Sequence, residues 1–240
     1  MLTFTPVTAE AMPLLRPYYA SCPYRLCEYS AGAKYMWRGH LHSEYAFSDG
    51  CLLIRNCIDS VMQFDYPIPG PDGDVEAALT AVEDECRQKG IRPIFSVVPE
   101  SEAGKLALRW PRVTITNERV WKDYLYHAED LAQFAGRRYS GQRNHINKFN
   151  KEHPDAAFIP LSAQDTALLD AFWADYRQEF QKQSPEAKRE LALAQEMFTH
   201  LDKGLFRAGG LIWQGRLLAI ALAEKCGDTL VCHIEKALYS

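Results

Sequence analysis

The spacing of hydrophobic positions predicts that the first half of the chain opens with a helix and continues as mixed strands and helices. Val75, Leu79 and Val82 share one helical face, and Gly90 ends that helix. Short apolar or alternating runs between turn residues predict strands. The predicted helices are 8–20, 75–89 and 99–110, and the predicted strands are 44–48, 51–56, 60–66, 91–98, 113–116 and 120–126.

The second half of the chain repeats this order of elements. Residues 136–151 are polar and have a helical pattern, and the helix after Ser162 carries a strong stripe of apolar and aromatic side chains. A further helix begins with Ser184 as its cap and ends at Gly204. Strands at 211–213, 216–225 and 229–236, joined by glycine-containing turns, predict a second meander.

Both halves are therefore predicted to begin with helical structure and to continue with a three-strand meander. This predicts an α+β (mixed α/β) fold, and the layout resembles that of the GNAT acyltransferase fold. We expect two tandem GNAT-like lobes, residues 1–127 and 128–240. A single larger α/β domain is the alternative.

The charge and cysteine content narrow the class of protein. With 27 basic and 31 acidic residues, the net charge of −4 argues against bulk nucleic-acid binding but leaves room for a local basic site. The longest apolar run, Leu217 to Ala223, is too short for a bilayer span of about 20 residues, so no transmembrane helix is expected. Seven cysteines without a C-x-x-C spacing indicate reduced thiols in a cytoplasmic protein and predict no metal site.

The segment 136–151 is the strongest candidate for a binding site. It contains five Lys or Arg residues, one His and no acid within a net-acidic chain. On a helix, Arg138, His145 and Lys148 would share one face. Guanidinium and ammonium groups suit phosphate or carboxylate, which predicts an anion site. A solvated basic face is the simpler interpretation.

The last predicted strand carries a second candidate. Alternation would place Val231, His233 and Glu235 on one face, with Lys236 on the other. A histidine and a glutamate two residues apart on a strand are able to divide acid and base roles, so we take His233 and Glu235 as candidate catalytic residues. The alternative is a partly buried histidine beside a glutamate in a surface ion pair.

Several motifs resemble a known family. They are a Tyr-rich stretch at 124–126, Glu-Asp-Leu at 129–131, Gly-Arg-Arg-Tyr at 136–139, Arg-Asn-His-Ile-Asn at 143–147 and Cys-His-Ile-Glu-Lys-Ala at 232–237. This pattern resembles bacterial proteins of uncharacterised function that are grouped with the phosphatidylglycerol lysyltransferase C-terminal domain. The resemblance spans most of the chain.

The resemblance implies a tandem GNAT-like fold and kinship to enzymes that move an aminoacyl group from charged tRNA to an amine or hydroxyl. Position by position, the resemblance implies that a basic block within residues 136–151 binds the donor. It also places His233, Glu235 and Lys236 in the strand motif of the family. The donor would be aminoacyl-tRNA, with tRNA as the partner, and the acceptor a small molecule or peptide. The residues of the basic block are Arg137, Arg138, Arg143, Asn144, His145 and Lys148.

Two other functions stay open. The first is a CoA-dependent N-acyltransferase of the GNAT type. Against it, residues 70–85, where the first lobe would bind the CoA pyrophosphate, hold six acids and no Lys or Arg. The second is a non-catalytic RNA- or anion-binding module, whose affinity would fall steeply with salt.

The second meander ends four residues before the last residue, whereas the first is followed by two more helices and three more strands. We therefore expect the second lobe to be incomplete at its C-terminus and the strand at 229–236 to be an exposed edge.

Overall fold

The computed structural model describes residues 2–180 and 184–238. Within them, the helices are α1 (Met12–Ser21), α2 (Ala31–Leu41), α3 (Val75–Gln88), α4 (Glu100–Arg109), α5 (Ala128–Gln133), α6 (Ser140–Glu152), α7 (Thr166–Glu179) and α8 (Pro185–Phe198). The strands are β1 (Thr5–Pro6), β2 (Glu44–Ser48), β3 (Cys51–Ile58), β4 (Val61–Asp65), β5 (Ile68–Pro69), β6 (Phe95–Val97), β7 (Ala157–Leu161), β8 (Phe206–Trp213), β9 (Arg216–Cys226) and β10 (Thr229–Ala237).

The strands form two sheets. The first has the order β1-β2-β3-β4-β6, with β5 paired to β3, and its pairs are antiparallel except β4 with β6. The second sheet has the order β10-β9-β8-β7 and is antiparallel throughout. The mixed α+β class predicted from the sequence is confirmed.

Both meanders form where the turn signals predict them. Asp49 and Gly50 have positive φ between β2 and β3, and Gln214 and Gly215 do the same between β8 and β9. Such turns match the twist of antiparallel strands, and glycine adopts positive φ without steric cost. In the described residues β10 pairs only with β9 and is an edge strand. The incompleteness of the second lobe stays a prediction.

The predicted strands at 113–116 and 120–126 are wrong. These residues form an exposed, irregular segment with one 3₁₀ turn at Arg119–Trp121. Their β-branched and aromatic side chains favour strands only when a neighbouring strand supplies hydrogen bonds and packing. In the described chain no strand lies beside them.

The hydrophobic cores contain residues from both sides of position 127. Met12 and Tyr35 of α1 and α2 pack in the core that contains Phe172 of α7. In the other direction, Val231 of β10 packs in the core around Leu52 of β3. Helices α1 and α2 therefore contribute to the packing of both sheets, and the division into lobes 1–127 and 128–240 stays a prediction.

Helix α2, which the sequence pattern does not predict, carries a buried ion pair. Lys34 Nζ lies 2.5 Å from Asp65 Oδ2 at the end of β4, and both side chains are at most 3% exposed. Asp65 Oδ1 accepts a hydrogen bond from Asn56, whose Oδ1 accepts one from Ser43. Each charge is thus compensated inside the protein, as burial requires.

Removing the Lys34 ammonium should strongly destabilise the fold. Lys34→Ala leaves the Asp65 carboxylate buried without its counter-charge, a change that costs about 3–5 kcal/mol. Urea unfolding measures the loss as a lower midpoint at an unchanged slope. Lys188→Ala, at an exposed position of α8, is the matched control and should shift the free energy of unfolding by less than about 0.5 kcal/mol. Equal effects of the two substitutions would contradict the structural role of the pair.

Candidate functional site

A second buried polar centre joins α2 to the second sheet. Glu224 of β9 accepts a hydrogen bond at Oε2 from the backbone N–H of Gly32, at 2.7 Å. The same oxygen lies 3.2 Å from Nε2 of His233, and both side chains are at most 4% exposed. One carboxylate oxygen therefore connects a helix backbone with a strand imidazole in the protein interior.

A β-bulge places His233 at this centre. Cys232 pairs with Ala223 and Ile234 with the adjacent Leu222, so His233 is an extra residue in β10. The bulge reverses the alternation after it. The prediction that His233 and Glu235 share one face is therefore wrong.

Glu235 lies on the other side of β10 and is exposed. It pairs with Ala221 of β9, which in turn pairs with Gly209 of β8. The directly paired neighbour is thus a small side chain, and the Phe158 ring lies over Gly209 beyond it. Lys236 lies on the Ile234 side, half-buried, and its Nζ is 2.7 Å from Oε1 of Glu190 in α8.

Tyr19 of α1 is fully buried, and the buried carboxylates of Asp65 and Glu224 act on it. Burial raises the pKa of its phenol well above the usual range, and the negative charges of Asp65 and Glu224 raise it further. The phenol therefore stays protonated at physiological pH. The two buried centres, one against each sheet, form the polar interior around α1 and α2.

The predicted basic helix is divided into a turn and a helix. Arg137 and Arg138 lie in a 3₁₀ turn, and α6 begins only after that turn. Gly136, with a φ of 81°, begins it. Arg138 therefore lies outside α6, and its sharing of a face with His145 and Lys148 stays a prediction, whereas His145 and Lys148 are three residues apart within α6 and share one.

Two of the arginines contact residues that precede this turn. Arg143 donates through Nη1 to the carbonyl oxygens of Phe134 and Gly136, the latter at 2.7 Å. Arg138 Nη2 lies 3.5 Å from Oδ2 of Asp130 in α5. Arg143, which is half-buried, therefore fastens α6 to the preceding loop.

The remaining basic block faces solvent. Lys148 Nζ is 3.7 Å from Oε1 of Glu152, and both side chains are more than half exposed, so water weakens this pair. We name the turn and α6 together the basic surface. Its exposed members from the predicted set are Arg137, Arg138, Asn144, His145 and Lys148.

Sequence reasoning missed Glu224 and Gly32. Glu224 directly follows the apolar run of β9, and an acid at the end of a buried strand is a signal that could have identified it. Helix α2 has its own start signal. Ser30 is its N-cap and accepts a hydrogen bond from the Ala33 N–H.

Potential metal-ligating atoms also meet in one place. The ligand atoms of Cys27, Glu28 and Asp123 all lie within 4.8 Å of one another. Burial raises the pKa of the Cys27 thiol, and the two neighbouring carboxylates raise it further. A metal ion there would have to displace a tightly held proton.

Fold and site together define a mixed α/β protein with a closed polar interior and an exposed basic surface. The sequence profile described as "Phosphatidylglycerol lysyltransferase, C-terminal" matches residues 19–240, and the chain belongs to this family. Membership indicates a transferase-like function.

The fold is similar to that of a crystallised conserved protein of unknown function from Bacteroides thetaiotaomicron VPI-5482. The TM-score is 0.84 at 22% sequence identity, and the match covers 99% of this chain and 80% of that chain. At this identity the likeness shows the fold alone. No curated protein matches the chain significantly. A search of the described helices for one long and apolar enough to cross a membrane finds none.

Adding one methyl group at Gly32 should disrupt the Glu224 centre. A Cβ there would lie 2.6 Å from His233 Nε2 and 2.8 Å from Glu224 Oε2. Gly32→Ala should therefore destabilise the protein by about 1–3 kcal/mol. Gly39→Ala in the same helix has no atom within 4 Å of its Cβ and should stabilise by up to about 1 kcal/mol. Thermal unfolding of both variants tests the contrast, and shifts of the same sign would contradict it.

Proposed function

We propose that the protein is an aminoacyltransferase that takes its aminoacyl group from charged tRNA and passes it to an amine or hydroxyl of a small molecule or peptide. The observation that carries the proposal is the exposed basic surface, Arg137–Tyr139 and α6, in a member of a transferase family. Such a surface suits the phosphates of an RNA donor. Charged tRNA is found in the cytoplasm, so the proposal assigns the reaction to that compartment.

The transfer needs a base for the attacking group. In the proposed reaction, the acceptor atom bonds to the carbonyl carbon of the aminoacyl ester, and the bond to the ribose oxygen breaks. The acceptor gives up a proton and the ribose oxygen gains one. Glu235 is our candidate base because its carboxylate is exposed beside Ala221, whereas the imidazole of His233 is enclosed against Glu224.

The surroundings of α3 disfavour a CoA donor. Its N-terminus, where a pyrophosphate would bind, already has a cap, because the Asp74 carboxylate accepts a hydrogen bond from the Ala77 N–H at 3.0 Å. The open cleft beside it, of about 500 Å³, is also lined by Glu76 and Glu102. Glu76 is paired with Arg109 and Glu102 with Lys105, so the carboxylate that would repel a pyrophosphate at this N-terminus is that of Asp74.

Loss of the Glu235 carboxylate should slow transfer without weakening donor binding. With radiolabelled aminoacyl-tRNA and a panel of amine and hydroxyl acceptors, Glu235→Gln should lower the transfer rate about 10²-fold or more. Asp170→Asn, at an exposed position of α7, is the matched control and should leave the rate unchanged.

Two results would contradict this assignment. Equal rates for wild type and Glu235→Gln would remove Glu235 from the mechanism. Salt-sensitive tRNA binding without consumption of any donor would identify a non-catalytic binding module instead.

Charge removal on the basic surface should lower the salt dependence of tRNA binding. Arg137→Ala and Lys148→Ala should each weaken binding and reduce the slope of log K against log salt by about 1. The control is Arg87→Ala, at an exposed position of α3. Filter binding over a range of KCl concentrations measures the slopes, and an unchanged slope in both test variants would count against the surface.

A further inference from the structure

The segment 111–127, which we name the aromatic segment, presents large apolar side chains to solvent. Val120 is 80% exposed, Trp121 75% and Tyr124 88%, and every residue of the segment is exposed. A monomeric protein seldom exposes a contiguous apolar patch of this kind unless the patch binds something.

The structure fixes the aromatic segment in place. Asp123 Oδ2 accepts a hydrogen bond from the backbone N–H of Cys27 at 2.8 Å, which attaches the middle of the segment to the loop between α1 and α2. The rings of Tyr124 and Tyr126, two residues apart, are stacked with an interplanar angle of 11°. The two tyrosine rings are therefore nearly parallel, with their centroids 6.4 Å apart, and the Asp123 bond anchors the backbone between Trp121 and Tyr124.

Basic side chains accompany these rings. Arg119 and Lys122 flank Trp121, and both are exposed. Residues 111–151, which comprise the aromatic segment and most of the basic surface, contain eight Lys or Arg and four Asp or Glu, in a chain whose net charge is −4. The contact of Arg138 with Asp130 brings the basic turn back against α5, directly after the segment.

We propose that the aromatic segment binds unpaired nucleotides of an RNA, with bases stacked on Trp121, Tyr124 and Tyr126 and phosphates beside Arg119 and Lys122. The inference rests on the proposed function for the class of ligand and adds the residues that hold its single-stranded part. Aromatic rings in a basic setting bind single strands because an unpaired base has a free face for stacking. Protein interfaces are also rich in aromatic side chains and arginine, so self-association through the segment is an outcome that the test must distinguish.

The test compares a fluorescein-labelled, unstructured 12-nucleotide RNA with a 12-base-pair RNA duplex by fluorescence anisotropy. Trp121→Ala and Tyr124→Ala should each weaken single-strand binding about fivefold or more and leave duplex binding nearly unchanged. Trp121→Phe, which keeps a ring, should restore most of the affinity. Leu108→Ala is the matched control, because Leu108 is 84% exposed in α4, outside the segment.

Unchanged single-strand affinity in Trp121→Ala and Tyr124→Ala, or an equal loss on both RNAs, would overturn the inference. So would self-association of the wild type in sedimentation that Trp121→Ala abolishes while RNA affinity stays constant. The results can contradict the proposed function and the stacking role independently of each other. Stacking-dependent RNA binding without aminoacyl transfer contradicts only the proposed function, whereas transfer at the wild-type rate and KM by Trp121→Ala contradicts only the stacking role.

Discussion

Two buried carboxylates, one from each sheet, impose the constraint on which the rest of the structure depends. Asp65 ends β4 and Glu224 lies near the end of β9, and neither reaches water. An isolated buried charge is costly, so each needs a partner inside the protein. Helix α2 supplies both, through the Lys34 ammonium and the Gly32 backbone N–H. The helix is thereby held between the sheets at a defined position and rotation.

This arrangement leaves a buried polar interior and an exposed surface that carries the other candidate functional residues. The imidazole of His233 lies in the interior, in contact with Glu224, and the Arg143 guanidinium donates a hydrogen bond to the Gly136 carbonyl of the preceding loop. Among the candidate groups, the basic surface, the aromatic segment and Glu235 are exposed. Arginine and glutamate therefore occur both as buried or half-buried residues with partners inside the protein and as exposed residues that are open to a ligand. His233 therefore has a buried partner in Glu224, and its catalytic role stays a prediction.

Sequence reasoning was most successful where short-range signals are strong. The turns at Asp49-Gly50 and Gln214-Gly215 specify antiparallel neighbours within a few residues, and both meanders form there. It failed at the aromatic segment, where strand-favouring side chains have no strand to pair with. It also missed α2, whose Ser30 cap is a weak signal. Strand pairing depends on distant residues, so a local pattern cannot establish it.

The order of the residues alone established the mixed α+β class, the two meanders, the family membership and the basic character of 136–151. Folding decided which of those groups stay accessible. One extra residue in β10 placed Glu235 on the face opposite to His233, and Arg138 lies in a 3₁₀ turn rather than in α6. Both outcomes depend on register and backbone geometry. In a strand, a shift of one residue exchanges the two faces, and the amino-acid composition does not reveal such a shift.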